Sequence, residues 1–372
     1  MAQEHTPIHS KSITLVLTHQ CNLRCTYCYE KHKDNNTMPL ELAKEIVDRE
    51  LTMDDGTTEV EIDLFGGEPL LEFDTIKALV EYADAKDYPK DYIFFITTNG
   101  TLLDEDRKKW LAAHTDSLQL GLSLDGDKYM QDINRCNSFD KLDLEFFAKT
   151  YPEQGVKMTV STKTLPHLAR GVIFCHDAGF DVSCNLAYGI DWSSEENKSI
   201  FERELMTLIN YYLDHPEVKP CAMLDVDRLI SMTLVDDKNL RYCGAGYAMK
   251  AYDYDGIFYP CQHFLPISIG KEQALSSLEI DFKEYVIQEE VMPDECKRCV
   301  MRNICPTCYG ENFSATGNIH SRDMNLCPLF KIQFKALAFF AAERFRLDRY
   351  HGMDKMDVAL ILKSALVINE NL

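Results

Sequence analysis

Three cysteines near the start of the chain could bind metal. Cys21, Cys25 and Cys28 lie within the segment Cys-Asn-Leu-Arg-Cys-Thr-Tyr-Cys. Cysteine thiolates hold 4Fe-4S clusters, usually four thiolates to one cluster. Three thiolates in one short segment can hold three irons and leave the fourth iron open to a small molecule. The spacing therefore predicts a reactive cluster, with half of a zinc site and incidental thiols as the competing interpretations.

A second candidate site comes later, at Gly66, Gly67, Glu68 and Pro69. Glycines at a strand end let the backbone approach a ligand closely, and a neighbouring carboxylate can pair with an ammonium group. Considered alone, this short motif could equally be a turn. Whether the motif binds a ligand or is only a turn depends on the strands and helices that position it.

Short β-rich runs alternate with longer amphipathic stretches from Ser12 to about Gly189, which is typical of parallel βα units. Six units predict the α/β class, as a partial (β/α)6 TIM-type barrel with its active site at the carboxyl ends of the strands. The cysteine segment follows the first strand, and the glycine motif follows the second. The predicted strands are Ile13–Leu17, Glu59–Phe65, Tyr92–Thr97, Leu118–Ser123, Lys157–Thr162 and Val182–Leu186.

Polar residues also follow the third and fourth strands. Asn99 lies in Thr-Thr-Asn-Gly, Ser123 begins Ser-Leu-Asp-Gly, and Arg135 comes shortly afterwards. Asn-Gly and Asp-Gly are strong turn formers, so both segments could be plain turns. Their positions at strand ends nevertheless put them on the predicted active-site side.

Seven cysteines are found between Cys243 and Cys327, and four of them follow the spacing CxxCx5CxxC from Cys296 to Cys308. The aromatic-rich run before Cys261 contains Asp255-Gly256, which predicts a β-hairpin with Cys261 at its end. Paired CxxC units commonly bind zinc, so a zinc ribbon is one interpretation. Seven ligands suit two clusters better than one zinc ion.

Length, net charge and cysteine content argue against several classes of protein. The length of 372 residues favours two domains, and a net charge of -21 argues against a nucleic-acid partner. The chain lacks an apolar run of about 18 residues and a signal-peptide pattern, which predicts a cytoplasmic protein with no membrane partner. Fourteen cysteines in such a protein favour metal ligation over disulfides.

The motif CxxxCxYC after a first strand resembles the radical S-adenosylmethionine (radical SAM) enzymes. In that family the cluster cleaves SAM reductively to a 5′-deoxyadenosyl radical, which abstracts hydrogen from a substrate. The resemblance implies that Cys21, Cys25 and Cys28 hold this cluster and that the glycine motif contacts the methionyl amino group of SAM. The predicted cofactor-binding residues are Tyr27, Gly66, Gly67, Glu68 and Pro69, with Asn99 at the ribose and Ser123 and Arg135 at the carboxylate of SAM.

The later cysteines resemble the SPASM domain, found on radical SAM enzymes that modify peptides and proteins. The resemblance implies two auxiliary 4Fe-4S clusters. Only three ligands of the nearer one are identified, so its fourth position is open to a substrate thiolate or filled by an unassigned residue. The chain has two residues, Pro306 and Thr307, where the family pattern has three, which affects the geometry at Cys308. The implied ligands are Cys243, Cys261 and Cys308 for the nearer cluster and Cys296, Cys299, Cys305 and Cys327 for the distal one.

These patterns predict three parts: a radical SAM partial barrel over residues 1–230, a SPASM domain over 231–335 and a helical segment over 336–372. The aromatic residues of the final helices, Phe334, Phe339, Phe340 and Phe345, are predicted to belong to the core. The remaining cysteines have no ligand spacing and are predicted to be buried structural residues. They are Cys136, Cys175, Cys184 and Cys221.

The SPASM resemblance implies a maturase of a ribosomally made precursor peptide that forms a thioether or another crosslink. It also implies an external one-electron reductant such as a flavodoxin or ferredoxin. The first strand starts near Ser12, so we expect the substrate to be recognised directly or through a separate leader-binding protein.

Two other functions stay open. One is an anaerobic sulfatase-maturing enzyme, which forms formylglycine. Those enzymes have a catalytic Asp directly after the cysteine that corresponds to Cys261, where this chain has Gln262, and an amide cannot accept a proton as a carboxylate does. The other is a non-catalytic iron–sulfur or zinc protein, which would leave the glycine motif unexplained.

Overall fold

The computed structural model describes residues 9–234, 243–282 and 292–372. The described strands are β1 Ser10–Thr18, β2 Glu59–Gly66, β3 Asp91–Thr98, β4 Leu118–Leu122, β5 Val156–Val160, β6 Val182–Leu186, β7 Met249–Tyr252 and β8 Phe258–Tyr259. The described α-helices are α1 Leu40–Thr52, α2 Phe73–Asp84, α3 Glu105–Ala112, α4 Lys128–Asn134, α5 Leu144–Thr150, α6 Leu168–Asp177, α7 Glu195–Asp214, α8 Arg228–Leu234, α9 Pro266–Ile269, α10 Lys271–Ser276, α11 Asp294–Lys297, α12 Tyr309–Thr316, α13 Cys327–Arg346 and α14 Lys355–Asn371.

The predicted α/β class is confirmed, with the six barrel strands in the predicted order and a cysteine-rich region and helices after them. One sheet has the order β4-β3-β2-β1-β7-β8, and a second sheet contains β5 and β6. Strands β1 to β4 are parallel to one another, as are β5 and β6. Parallel neighbours place their carboxyl ends at the same edge of a sheet, which is where the polar motifs lie.

The chain divides into two compact units. The first contains Met1–Ser123, Ser138–Gln154 and Gly244–Lys283, and the second contains Leu124–Asn137, Gly155–Cys243 and Glu284–Leu372. The three-part division at residues 230 and 335 stays a prediction, and part of its middle section, 235–242 and 283–291, lies outside the described residues.

The predicted hairpin before Cys261 is confirmed. Strands β7 and β8 pair antiparallel, and the amide of Asp253 donates to the carbonyl of Ile257 at 2.9 Å. The hairpin also extends the first sheet, because β7 pairs parallel with β1 from Ser12 to Leu15. Cysteine-rich sequence is therefore part of the same sheet as the first cysteine motif.

One face of β1 forms the centre of the first unit. Ile13, Leu15 and Leu17 alternate along the strand and are 0% exposed. Lys11 lies on the same face, because side chains two residues apart on a strand point the same way. Its ammonium group contacts the carboxylates of Glu50 and Asp55, each at 2.6 Å. The phenol of Tyr252 on β7 donates to Glu50, so this buried ion pair links β1, α1 and the hairpin.

We expect Lys11→Met to lower the free energy of unfolding by about 3 kcal/mol, because it removes the nearest counter-charge of a buried carboxylate. Glu50 would keep only the more distant cations Lys250 at 3.7 Å and Arg49 at 4.0 Å. The side chain of Glu50 is 0% exposed, so water cannot replace the lost ammonium group. Urea unfolding measures the loss. The matched control is Lys77→Met, whose partner Glu81 is 3.9 Å away on the surface, and this change should cost less than about 1 kcal/mol.

The same network predicts an acid-sensitive fold. Burial opposes the charge of Glu50, but Lys11 and Tyr252 outweigh it and hold its pKa below the ordinary value; Lys11 and Lys90 lower the pKa of Asp55 in the same way. Carboxyls with a lower pKa in the folded state stabilise the fold above their unfolded pKa and lose this effect as the pH falls. Unfolding below about pH 4 should therefore be less pH-dependent in Lys11→Met than in the wild type.

In the second unit α7, α8, α13 and α14 pack together. The hydroxyl of Ser364 on α14 donates to the carbonyl of Leu229 on α8 at 2.8 Å. The predicted C-terminal helices are confirmed, but the prediction that all four aromatics are core was wrong: Phe334 and Phe340 are buried, whereas Phe339 and Phe345 are 41% and 57% exposed. Within the described part of the chain, every helix is too short or too polar to span a bilayer.

Candidate cofactor site

The first three cysteines lie in the loop that joins β1 to α1, residues 19–39. All three thiols are half-buried, and Leu23 between them is buried. The amide of Leu23 donates to Sγ of Cys21 at 3.4 Å, and the amide of Cys28 donates to the carbonyl of Cys25 at 3.2 Å. Burial raises the pKa of Cys21 to about 12, so a bound metal would have to displace its proton. We call this loop the cysteine loop.

The glycine motif packs directly on the end of β1 and the start of the cysteine loop. The amide of Gly67 donates to the carbonyl of Thr18 at 3.0 Å, and the amide of Glu68 donates to that of Gln20 at 2.8 Å. Gly66 has φ +150, and a Cβ atom there would lie 2.2 Å from the oxygen of Thr18. Only glycine permits this close approach, so the motif is more than a turn.

We expect Gly67→Ala to displace the cysteine loop, because the added Cβ would lie 2.3 Å from the oxygen of Gln20 and 2.9 Å from Cβ of Cys21. The anaerobically reconstituted variant should bind about one third less iron than the wild type, if one of three four-iron clusters fails to assemble. The control is Gly179→Ala, where the added methyl has no neighbour within 4 Å. Full iron loading in Gly67→Ala would contradict the prediction that the first cluster assembles only when Gly67 packs closely on the cysteine loop.

The carboxylate of Glu68 is buried and points at the end of β3. One oxygen accepts from the amide of Leu70 at 3.1 Å and from the hydroxyl of Thr98 at 2.7 Å. The other accepts from the amide of Asn99 at 2.8 Å. These contacts fix the orientation of the carboxylate beside the cysteine loop, and the buried ring of Pro69 follows it.

Asn99 contacts the cysteine loop, a contact that the sequence did not predict. Its side-chain amide donates to Oδ1 of Asn22 at 2.8 Å, and the amide of Asn22 donates to the hydroxyl of Thr101 at 2.8 Å. The motifs after the first, second and third strands therefore meet at one edge of the sheet. Tyr27 is half-buried in the same loop.

The residues predicted to contact the carboxylate of SAM are buried. Ser123 lies at the end of β4 in the first unit, and Arg135 lies at the end of α4 in the second. Nε of Arg135 is 3.1 Å from Oδ1 of Asp125, which is 0% exposed and also accepts from the amide of Thr159 at 3.0 Å. The assignment of Ser123 and Arg135 to SAM stays a prediction.

A cation lies against the cysteine loop. Nζ of Lys33 is 2.9 Å from Sγ of Cys28 and 3.3 Å from Oε2 of Glu30. Burial opposes the charge of Lys33, but Glu30 and Cys28 outweigh it and raise its pKa. Burial raises the pKa of Glu30 to about 7, and among the described residues its Oε1 has no hydrogen-bond partner. A negatively charged cluster held by this loop would have a cation beside it.

Residues within and after the hairpin formed by β7 and β8 also contact the cysteine loop. The ring of His19 bonds Asp253 at 2.7 Å and Asp34 at 3.0 Å. Burial favours the neutral ring, but these two carboxylates outweigh it and raise the pKa of His19. Tyr29 stacks on His263 with ring centroids 4.3 Å apart. Sequence reasoning missed these residues, although His19 follows a predicted strand closely.

Cys261 lies at the end of β8, as predicted, and is 7% exposed. Gln262 follows it, and its Oε1 is buried with no hydrogen-bond partner among the residues that the structure describes. Burial lowers the pKa of His263 to about 4, so this ring is neutral at neutral pH. The two residues after Cys261 are therefore uncharged.

The second unit contains a cavity lined by cysteines. Its volume is about 620 Å³ with its open mouth included, and Tyr188 and Arg322 also line it. Four of the cysteines are those predicted for the distal cluster, and the fifth is Cys308. The five cysteines are Cys296, Cys299, Cys305, Cys308 and Cys327.

The donor types fit an iron–sulfur cluster, because five cysteines line this cavity. No group of His, Cys, Asp and Glu within residues 9–234, 243–282 and 292–372 is arranged for a single metal ion, and the ligand sets stay predictions. The set for the nearer cluster falls in both units, with Cys261 in the first and Cys243 and Cys308 in the second. Cys243 is exposed.

Three of the four other cysteines agree with a structural role. Cys175, Cys184 and Cys221 are buried at 1% exposure or less. Cys136 is exposed and has φ +58, so its predicted burial was wrong. The turn after α4 puts this side chain at the surface.

Comparison with known sequences identifies a domain and several relatives. Residues 15–143 match the radical SAM superfamily. An uncharacterised protein of Methanocaldococcus jannaschii is 32% identical over 42% of this chain, and the match spans 56% of that protein. A cysteine-type anaerobic sulfatase-maturating enzyme of Clostridium perfringens is 25% identical, with 77% of this chain and 84% of that enzyme covered. The radical SAM cyclopropyl synthase TigE of Paramaledivibacter caminithermalis is 22% identical over 91% of this chain and 76% of its own.

Solved structures show the same fold. Histidine-tagged anSMEcpe with bound AdoMet superposes with a TM-score of 0.67 at 21% identity, over 95% of this chain and 98% of that one. Streptococcus suis SuiB bound to precursor peptide SuiA gives a TM-score of 0.58 at 19% identity, over 84% of this chain and 75% of that one. At these identities the likeness establishes the fold alone.

Proposed function

The chain is a radical SAM enzyme of the SPASM type with SAM and 4Fe-4S clusters as cofactors, and from this premise we propose that it matures a ribosomally made peptide. The proposed product is a thioether or another crosslink within the peptide. The proposed partners are the precursor peptide, an external one-electron reductant such as a flavodoxin or ferredoxin, and a separate leader-binding protein if the peptide is not recognised directly.

When bound, the first cluster and SAM supply a radical that abstracts hydrogen from an unactivated carbon, chemistry that amino-acid side chains cannot perform. The residues that would hold this cluster are Cys21, Cys25 and Cys28. The carboxylate of Glu68 has a fixed orientation beside the loop, because its two oxygens accept hydrogen bonds from Leu70, Thr98 and Asn99. A carboxylate held in this way can receive the ammonium group of SAM without reorganising.

The observation that favours crosslinking is the uncharged pair after Cys261. Formylglycine formation requires a base to take a proton from the substrate. Sulfatase-maturing enzymes have Asp at the position that corresponds to Gln262. Gln262 has a buried oxygen that can accept a hydrogen bond but cannot take up a proton. We infer that Gln262 orients a peptide group and does not act as a base.

A structure of the same fold that is bound to a precursor peptide supports a peptide substrate. The second candidate function, sulfatase maturation, has specific support of its own in the 25% identity to a sulfatase-maturating enzyme over 77% of the chain. The two functions differ in their products, so one experiment can separate them.

The test is anaerobic coexpression with a short cysteine-containing peptide encoded beside the gene, followed by mass spectrometry. A thioether crosslink should remove the mass of two hydrogens and abolish alkylation of one cysteine by iodoacetamide. Backbone fragments between the two joined residues should also be missing. Because oxidation of serine to formylglycine removes the same mass, the product must in addition be treated with a hydrazide that reacts with aldehydes.

We expect the product to be inert toward the hydrazide. An aldehyde adduct on a single residue would instead establish formylglycine formation. An unchanged peptide in cells where the enzyme carries its full iron content would contradict the proposed substrate class. The coexpressed Cys25→Ala variant is the matched control, because it should leave the peptide unmodified.

A further inference from the structure

A buried arginine lies among the cysteines of the second unit. Arg322 belongs to the segment between α12 and α13 and is 6% exposed. It lines the same cavity as the four cysteines predicted for the distal cluster. The sequence pattern gave it no role, since a single arginine has no spacing signal.

The guanidinium group bonds one of these cysteines. It donates a hydrogen bond to the side chain of Cys296. Both side chains line the cavity together with Cys299, Cys305 and Cys327. Lys331 lines the same cavity.

A buried cation in this cavity would offset the negative charge of a bound cluster. A cluster held by four thiolates is negatively charged, and burying that charge is costly unless a counter-charge is buried with it. Glu295, Glu311 and Asp323 also line the cavity and add negative charge. Arg322 is buried there and bonds a predicted ligand, and arginine stays protonated in proteins.

We propose that Arg322 is a positioning residue of the distal cluster: it holds the side chain of Cys296 by a hydrogen bond and offsets the negative charge of the bound cluster, which raises the reduction potential of that cluster. A positive charge beside the cluster stabilises its reduced state, which carries one more electron. The proposal does not depend on which peptide is modified or which bond is formed.

The test compares Arg322→Met and Arg322→Lys in the full-length, anaerobically reconstituted enzyme. Iron and sulfide content are measured first, and the midpoint potentials of the clusters are then followed by electron paramagnetic resonance during a redox titration. The control is Arg298→Met, which removes the same charge at an exposed position between Cys296 and Cys299. Circular dichroism of the apo-proteins reports whether each variant folds.

We expect Arg322→Met either to shift the potential of one cluster downward or to lose about one third of the iron, while the other two clusters are unchanged. Arg322→Lys should restore the iron content and most of the potential, because it keeps the charge. Arg298→Met should match the wild type. Unaltered potentials with full iron in Arg322→Met would overturn the proposal, as would equal damage to the apo-fold by the lysine and methionine variants.

Discussion

Cys25→Ala should lose about one third of the bound iron and all cleavage of SAM, the largest effect that we expect from one substitution. The cysteine loop supplies three thiols, and a cluster held by the remaining two would have no stable attachment. The auxiliary clusters should persist, because their predicted ligands all lie at or after Cys243. Iron and sulfide analysis of the anaerobically reconstituted protein, together with the spectrum of the reduced state in the presence and absence of SAM, measures both effects.

The matched control is Cys136→Ala. This cysteine is exposed and has no ligand spacing, so its removal tests whether any thiol contributes to loading. We expect full iron content and unchanged SAM cleavage in the control. Equal iron content in Cys25→Ala and the wild type would show that the loop does not hold a cluster.

Glu68→Gln should weaken SAM binding about 10- to 100-fold while leaving the iron content intact. The amide has the size of the carboxylate but no charge for the ammonium group of SAM. Its NH2 group would also face a backbone donor in either orientation, because one oxygen of Glu68 accepts from Leu70 and the other from Asn99. This mismatch is present with and without SAM, so it lowers the stability of the fold and not the affinity. The lost hydrogen bond between the carboxylate and the ammonium group is worth about 1.5–3 kcal/mol, which corresponds to the stated range.

Titration of the reconstituted variant with SAM, followed by the change in the cluster spectrum, measures the affinity. Glu72→Gln removes the same charge four residues away and serves as the control, with an affinity expected to match the wild type. If Glu68→Gln bound SAM as tightly as the wild type, the carboxylate would have no direct role at the cofactor. If the Glu68→Gln variant lost the cluster, the carboxylate would instead be needed to keep the cysteine loop folded.

Local patterns predicted the strands and the edge of the sheet at which the polar motifs lie. The apolar run from Ile13 to Leu17 predicts a strand, which the structure buries on both faces, and parallel strands bring Glu68 and Asn99 to one edge of the sheet. Gly66 packs tightly on the end of β1 and Gly67 on the cysteine loop, which is the physical reason for the glycines. These features follow from periodicity and chain chemistry, which act over a few residues.

Contacts between distant segments could not be predicted. His19 and Asp253 are 234 residues apart, and no local pattern indicates that β7 pairs with β1. The strand is only four residues long, so its partner is chosen by tertiary packing. Exposure of Phe339 was missed for a related reason, because helical periodicity does not identify which face another helix covers.

The most direct measurement is the formation of 5′-deoxyadenosine by the anaerobically reconstituted protein, reduced with dithionite and supplied with SAM. We expect 5′-deoxyadenosine and methionine to appear together, and neither to appear when Cys21, Cys25 and Cys28 are all replaced by alanine. A protein with its full iron content that binds SAM but releases no 5′-deoxyadenosine under these conditions would contradict the assignment of the cysteine loop.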